Sequence, residues 1–160
     1  MRKIALIICM IFPVSQAAFA APKELEPSAL PRDVVETLNA YLTVLSSSAS
    51  VDEAGNTLLT RGLIGGHLLS TDGTKASSDA LQFSLKKDFE NVKFYTVPAV
   101  ITRIILETDS YDGFKKTLFE GARYKIWINK KPGVAGMPAP VPVIKPKSGK
   151  PRVVSVVGSL

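Results

Sequence analysis

The chain is poor in the side chains that most often carry out chemistry. Its 160 residues include one cysteine, one histidine and one tryptophan. The cysteine, Cys9, falls in a stretch that reads as a removable leader. Without it there is no disulfide, no thiol nucleophile and no cysteine-ligated metal. A single histidine, His67, is a poor start for a zinc site, which needs three or four ligands. A serine triad built on it lacks the Gly-x-Ser-x-Gly turn. Neither Gly-x-x-x-x-Gly-Lys-Ser/Thr nor Gly-x-Gly-x-x-Gly occurs, so Gly65-Gly66 reads as a break in regular structure and not as a phosphate loop. No catalytic residue, metal ligand or cofactor is assigned. No apolar run reaches the roughly 20 residues that cross a bilayer, so no membrane span is expected.

The first 20 residues read as a signal peptide. Arg2 and Lys3 form the charged start, Ile4 to Val14 the apolar run, and Ala18-Phe19-Ala20 the small-x-small cleavage site. Cys9 sits too early for a lipoprotein anchor, and Ile8 before it is not small. The expected product starts at Ala21 and is soluble and disulfide-free, which suits a periplasm or cell exterior. Residues 21–30 read as an extended leader and 31–160 as one α+β domain.

Charge is uneven. Residues 21–107 hold 8 Lys/Arg against 11 Asp/Glu, a net of −3, and residues 108–160 hold 10 against 3, a net of +7. The basic third either guards exposed strand edges or forms a face for an anionic partner. An exported protein has little use for nucleic acid, so none is expected.

Along the chain, Pro31, Asp33 and Glu36 start a helix. Its apolar face is Val34, Leu38, Tyr41 or Leu42, and Leu45. Ser50-Val-Asp-Glu53 reads as a capping box that starts a second helix, and Gly62 stops it. His67 to Ser70 reads as a short strand and Thr71 to Thr74 as a turn. Ser78 or Asp79 caps a third helix through Leu81, Leu85, Phe89 and Val92; the alternation of Leu81, Phe83 and Leu85 also admits a strand up to Ser84. Lys93 to Val97 reads as a strand before the Pro98 bend. Val100 to Thr108 reads as a central strand and Asp109 to Gly113 as a loop. Phe114 to Phe119 is either a helical turn or the start of the next strand. In Arg123 to Asn129, Tyr124, Ile126 and Ile128 share one face, and Lys125, Trp127 and Asn129 the other. Pro138, Pro140 and Pro142 alternate, which places their missing amides on one side of an edge strand. Val153 to Val157 closes the sheet.

This order of elements, from Pro31 to Leu160, resembles the nuclear-transport-factor-2-like superfamily, also called ketosteroid-isomerase-like or polyketide-cyclase-like. The resemblance rests on element order and lengths, with no motif behind it. It implies a curved antiparallel sheet of about five or six strands packed on about three N-terminal helices, a cone with a pocket inside. It also implies that isomerases, dehydratases and non-catalytic exported modules are the relevant classes. The isomerase-type site, an aspartate base with a tyrosine and a second acid, is not carried over to any residue.

Tyr41, Tyr95, Tyr124 and Trp127 are amphipathic aromatics suited to a pocket wall. Arg103 and Glu107 lie four apart on one side of the expected central strand, where a charge must find a partner. They form either an ion pair on the sheet face or a pocket charge for an anionic ligand. Tyr41, Tyr95, Arg103, Glu107 and Trp127 are taken as the five candidate ligand contacts. The functional expectation is an exported, non-catalytic binding or structural module for a small hydrophobic or anionic ligand. The alternatives are a cofactor-independent lyase or isomerase using a pocket Asp, Glu or Tyr, and an interaction protein acting through its basic C-terminal hairpin.

Overall fold

A computed structural model of the chain describes residues 21–137, 140–154 and 160. The expected signal peptide, Pro138, Ala139 and most of the expected closing strand lie outside the described residues. Among the described residues the fold is α+β, with three helices and an open five-stranded antiparallel sheet. The helices are α1 (Arg32–Ser47), α2 (Val51–Thr60) and α3 (Leu85–Asn91). The strands are β1 (Lys23–Leu25), β2 (Ile101–Asp112), β3 (Phe119–Ile128), β4 (Val141–Pro146) and β5 (Arg152–Val153), and they pair in chain order. The extended leader thus contains a strand, β1, paired with Ile104 to Leu106 of β2.

The helical hairpin follows its local signals. Val34, Leu38, Tyr41, Leu42 and Leu45 of α1 are buried, as the 3.6-residue period requires. The Glu53 amide donates to Ser50 Oγ at 3.2 Å, so Ser50 caps α2. The return arm differs from the expected box: the Glu53 carboxylate accepts from the Ala49 amide at 2.9 Å, one residue before the cap. The third helix is helical throughout, entered by a π-turn at Ala80–Ser84. Its first amides are met by Ser77, whose Oγ accepts from Ala80 at 3.0 Å, so neither Ser78 nor Asp79 is the cap.

On β3, Tyr124, Ile126 and Ile128 are buried while Lys125 and Trp127 are half-buried and Asn129 is exposed. Ile104, Val141 and Val143 join the buried face, and together with the apolar faces of α1 and α2 they form one core. That single apolar cluster is what holds helices and sheet together.

Three segments depart from the expected reading. His67 lies in a 3-10 turn, Gly66–Leu68, with only Leu69 bridging to Ala76, because Gly66 at φ +61° turns the chain out of extended geometry. Lys93 to Val97 is likewise a 3-10 turn at Val92–Phe94 followed by one bridge, Tyr95 to Lys130. Asp109 to Asp112 is strand and not loop. It pairs with Phe119 to Gly121, and a bulge between Glu107 and Ser110 absorbs one extra residue. β4 is not a free edge either. Pro142 O accepts from the Val154 amide at 2.9 Å, so its nitrogen side points away from β3, as the alternation predicts, but β5 covers that side. Beyond β5, Leu63 to Gly65 pairs with Val153 in turn.

Candidate functional site

A cleft of about 640 Å3 opens at one end of the sheet. Its floor is Ala122 and Tyr124 of β3, on the same strand face as the core residues Ile126 and Ile128. Thr108 and Asp109, the residues of the β2 bulge, form one wall, and Lys145 to Ser148 another. Gly121 is needed here. A Cβ at this position would overlap the Lys145 carbonyl, so only glycine lets β3 and β4 approach this closely. Lys145 reaches back to the first turn of α1, its Nζ 2.7 Å from Asp33 Oδ2. That ion pair fixes β4 to the helix layer. Lys147 has no side-chain partner among the described residues and is exposed, as are the rim acids Asp109 and Glu120. The cleft therefore offers an apolar and aromatic floor with charges of both signs around it. Its volume is in the range of small-ligand sites.

Of the five sequence candidates, none lines this cleft. Tyr41 is wholly buried, and its hydroxyl donates to Asp88 Oδ2 at 2.7 Å. Asp88, also buried, accepts from the Leu160 amide at 2.9 Å. Burial first, then the Asp88 charge and the hydrogen bond to it, push the Tyr41 hydroxyl well above the usual tyrosine range. Tyr95 is raised too, by burial first and by the same carboxylate second. It lines a smaller cleft of about 300 Å3 with Asn91, Lys130 and Leu160.

The other three candidates share the opposite face of the sheet. Arg103 stacks 5.0 Å over the Trp127 ring and pairs with Glu24 of β1 at 2.9 Å. Glu107 receives Lys125 Nζ at 2.6 Å, with Arg123 Nη1 at 3.7 Å. Arg103 and Glu107 are thus each held in ion pairs on the sheet face, with different partners.

A further constellation was not singled out in the sequence. His67 Nδ1 lies 2.8 Å from Asp112 Oδ1, which also accepts from the His67 amide at 2.7 Å. A carboxylate at that distance requires the proton on Nδ1. The Gly113 amide, 3.1 Å from the same nitrogen, then cannot donate to it. Arg123 Nη2 approaches Asp112 Oδ2 at 3.5 Å, and the Phe114 ring meets His67 edge-on at 4.5 Å. His67 and Phe114 also wall a cleft of about 500 Å3 with Ser70, Lys75, Ser77 and Asp79. Glycine at 66 makes the junction: a Cβ there would overlap the Asp112 carboxylate. Nearby, Asp72 accepts from Ser70 Oγ, the Thr74 amide and Thr74 Oγ1, and these bonds lower its carboxyl to about 2.

Among the described residues no cluster of three His, Cys, Asp or Glu side chains is placed to hold a metal ion, and no helix is long and apolar enough to cross a membrane. The chain matches no protein-family model, no curated protein and no solved structure.

Proposed function

We propose that this protein is an exported, non-catalytic binding module with a cone-like fold of the nuclear-transport-factor-2-like kind. In this reading it holds a small hydrophobic or anionic ligand at the open end of its sheet. The observation that carries the reading is the lining of the 640 Å3 cleft: a phenol and a small apolar floor with lysines beside them. The acids at its rim are solvated, and the buried carboxylates among the described residues, Asp88 and Asp112, both lie elsewhere. A general acid or base is expected inside the reaction cavity. Export rests on Arg2, Lys3, the apolar run and Ala18-Phe19-Ala20. Mass spectrometry of the exported protein should find its N-terminus at or within a few residues of Ala21, and an intact Met1 would refute that part.

The binding reading is tested by calorimetric titration with decanoate and decanol, on wild type and on Ala122→Trp. An indole at position 122 fills the cleft floor. Binding of either probe that Ala122→Trp abolishes, with the thermal midpoint kept, is the expected result. No binding of either probe, or binding indifferent to the substitution, overturns the assignment. The lyase or isomerase alternative draws support from the buried Tyr41–Asp88 pair. It lacks an entrance, since both groups are 1% exposed or less.

A further inference from the structure

We propose that the tip of the β2–β3 hairpin is a docking surface for an anionic lipid bilayer. The tip runs from Tyr111 to Leu118. Tyr111, Phe114 and Leu118 are 68%, 61% and 50% exposed, although all three are large apolar side chains. Between them, Lys115 and Lys116 are exposed and carry no side-chain partner among the described residues.

The tip is not a loose loop. Its backbone is fixed by a 3-10 turn, in which the Thr117 amide donates to Phe114 O at 2.9 Å. The Thr117 hydroxyl accepts from the Phe114 amide at 3.2 Å and donates to Phe114 O at 3.0 Å. Behind it, Asp112 is tied to the His67 amide. Thr117 itself is buried. A fixed backbone therefore holds three apolar side chains out in water, each at least half exposed among the described residues. Apolar groups displayed together in this way mark interaction surfaces.

The occupant follows from the charges. Around the patch, Lys75, Lys115 and Lys116 stand with three acids: Asp72, next to Gly73, which lies against Thr117, Asp79, which shares the cleft wall with Phe114, and Glu120, opposite Tyr111 in the strand register. The two lysines at the apex stand between the apolar side chains. A bilayer interface meets that pattern. Tyrosine, phenylalanine and leucine enter the boundary between headgroups and acyl chains, while lysine stems extend to the lipid phosphates. A protein partner would satisfy the apolar side chains but would have to supply matched acids for the adjacent lysines.

The test is co-sedimentation with vesicles of phosphatidylglycerol mixed with phosphatidylcholine, and with vesicles of phosphatidylcholine alone. The wild type should sediment with the anionic vesicles, less with the neutral ones, and less again in high salt. Lys115→Ala with Lys116→Ala should lower partitioning to anionic vesicles about thirtyfold and leave neutral vesicles unaffected. Tyr111→Ser with Leu118→Ser should lower both by about tenfold. Phe114 is left intact because its ring packs on His67, and unchanged thermal midpoints confirm that the variants fold. A wild type that does not sediment, or variants that sediment as it does, overturns the proposal. So does a dimer abolished by Tyr111→Ser with Leu118→Ser in a protein that ignores vesicles, an outcome that assigns the tip to a second copy.

Discussion

Tyr41→Phe isolates one buried hydrogen bond. The ring of phenylalanine fills the space that the tyrosine ring fills, so almost no cavity is made. What is lost is the donor to Asp88 Oδ2 at 2.7 Å, in a place where both residues are shut off from water. A hydrogen bond to a charged group contributes about 1.5–3 kcal/mol, and the carboxylate left behind keeps its desolvation cost. We expect a loss of about 2 kcal/mol at neutral pH. In a domain of this size that lowers the thermal midpoint by roughly 6–10 °C. Alkaline pH supplies a second, independent readout. An unfolded tyrosine ionises near 10, whereas burial and Asp88 hold Tyr41 protonated well above that in the folded chain. The contribution of the protonated hydroxyl is fully present below pH 10 and is lost as the pH rises beyond it, by about 1.4 kcal/mol per unit while the folded group stays protonated. Phenylalanine has no such dependence. Tyr95, shifted the same way, titrates in both proteins and drops out of the comparison. The gap between wild type and variant, followed by circular dichroism, should be constant below about pH 9 and shrink above pH 10. Equal midpoints at neutral pH, or a gap that widens in alkali, would refute the reasoning.

Two other substitutions probe the joints of the fold. Ser50→Ala removes the acceptor for the Glu53 amide and should cost about 1 kcal/mol in urea denaturation, with an unchanged midpoint counting against the cap. Gly66→Ala puts a Cβ onto the Asp112 carboxylate at a backbone φ of +61°; it should cost about 3 kcal/mol, and the amide resonance of His67 should shift as its bond to Asp112 opens.

The parts of the fold that were legible depend on near neighbours. Period and capping residues are local properties, and they located α1, α2 and the buried face of β3. The misread segments are those where a distant partner decides. Asp109-Ser-Tyr-Asp has turn composition, yet it is strand because Phe119 to Gly121 lies opposite it. His67 to Ser70 alternates too briefly to outweigh Gly66, whose positive φ takes the chain out of extended geometry where the Asp112 carboxylate leaves no room for a Cβ. At Pro142 the edge reading was right about which side lacks the amide and wrong about what lies there. Arg152–Val153 covers β4 and is itself paired by Leu63 to Gly65, from the other half of the domain.

The candidate sites were less legible than the fold, and for the same reason at longer range. Tyr41 was chosen as an amphipathic ring suited to a pocket wall, but it is shut in the core and its hydroxyl is met there. The partner is Asp88, 47 residues away, which no spacing rule connects to it. His67 and Asp112 are 45 residues apart, and Lys145 and Asp33 are 112 apart. A lone histidine or aspartate carries no signal of its own until the chain brings it to a partner. Arg103 and Glu107 show the opposite case. Their four-residue spacing was visible, yet each pairs across strands, Arg103 with Glu24 and Glu107 with Lys125, because residues on neighbouring strands come closer than residues four apart on one strand. The exposed tip needed no partner to be found. Tyr-Asp-Gly-Phe-Lys-Lys-Thr-Leu stands in the sequence at 111–118 with its apolar residues plain to read. What the sequence withheld was that these side chains stay outside the core, and only the fixed turn beneath them shows it.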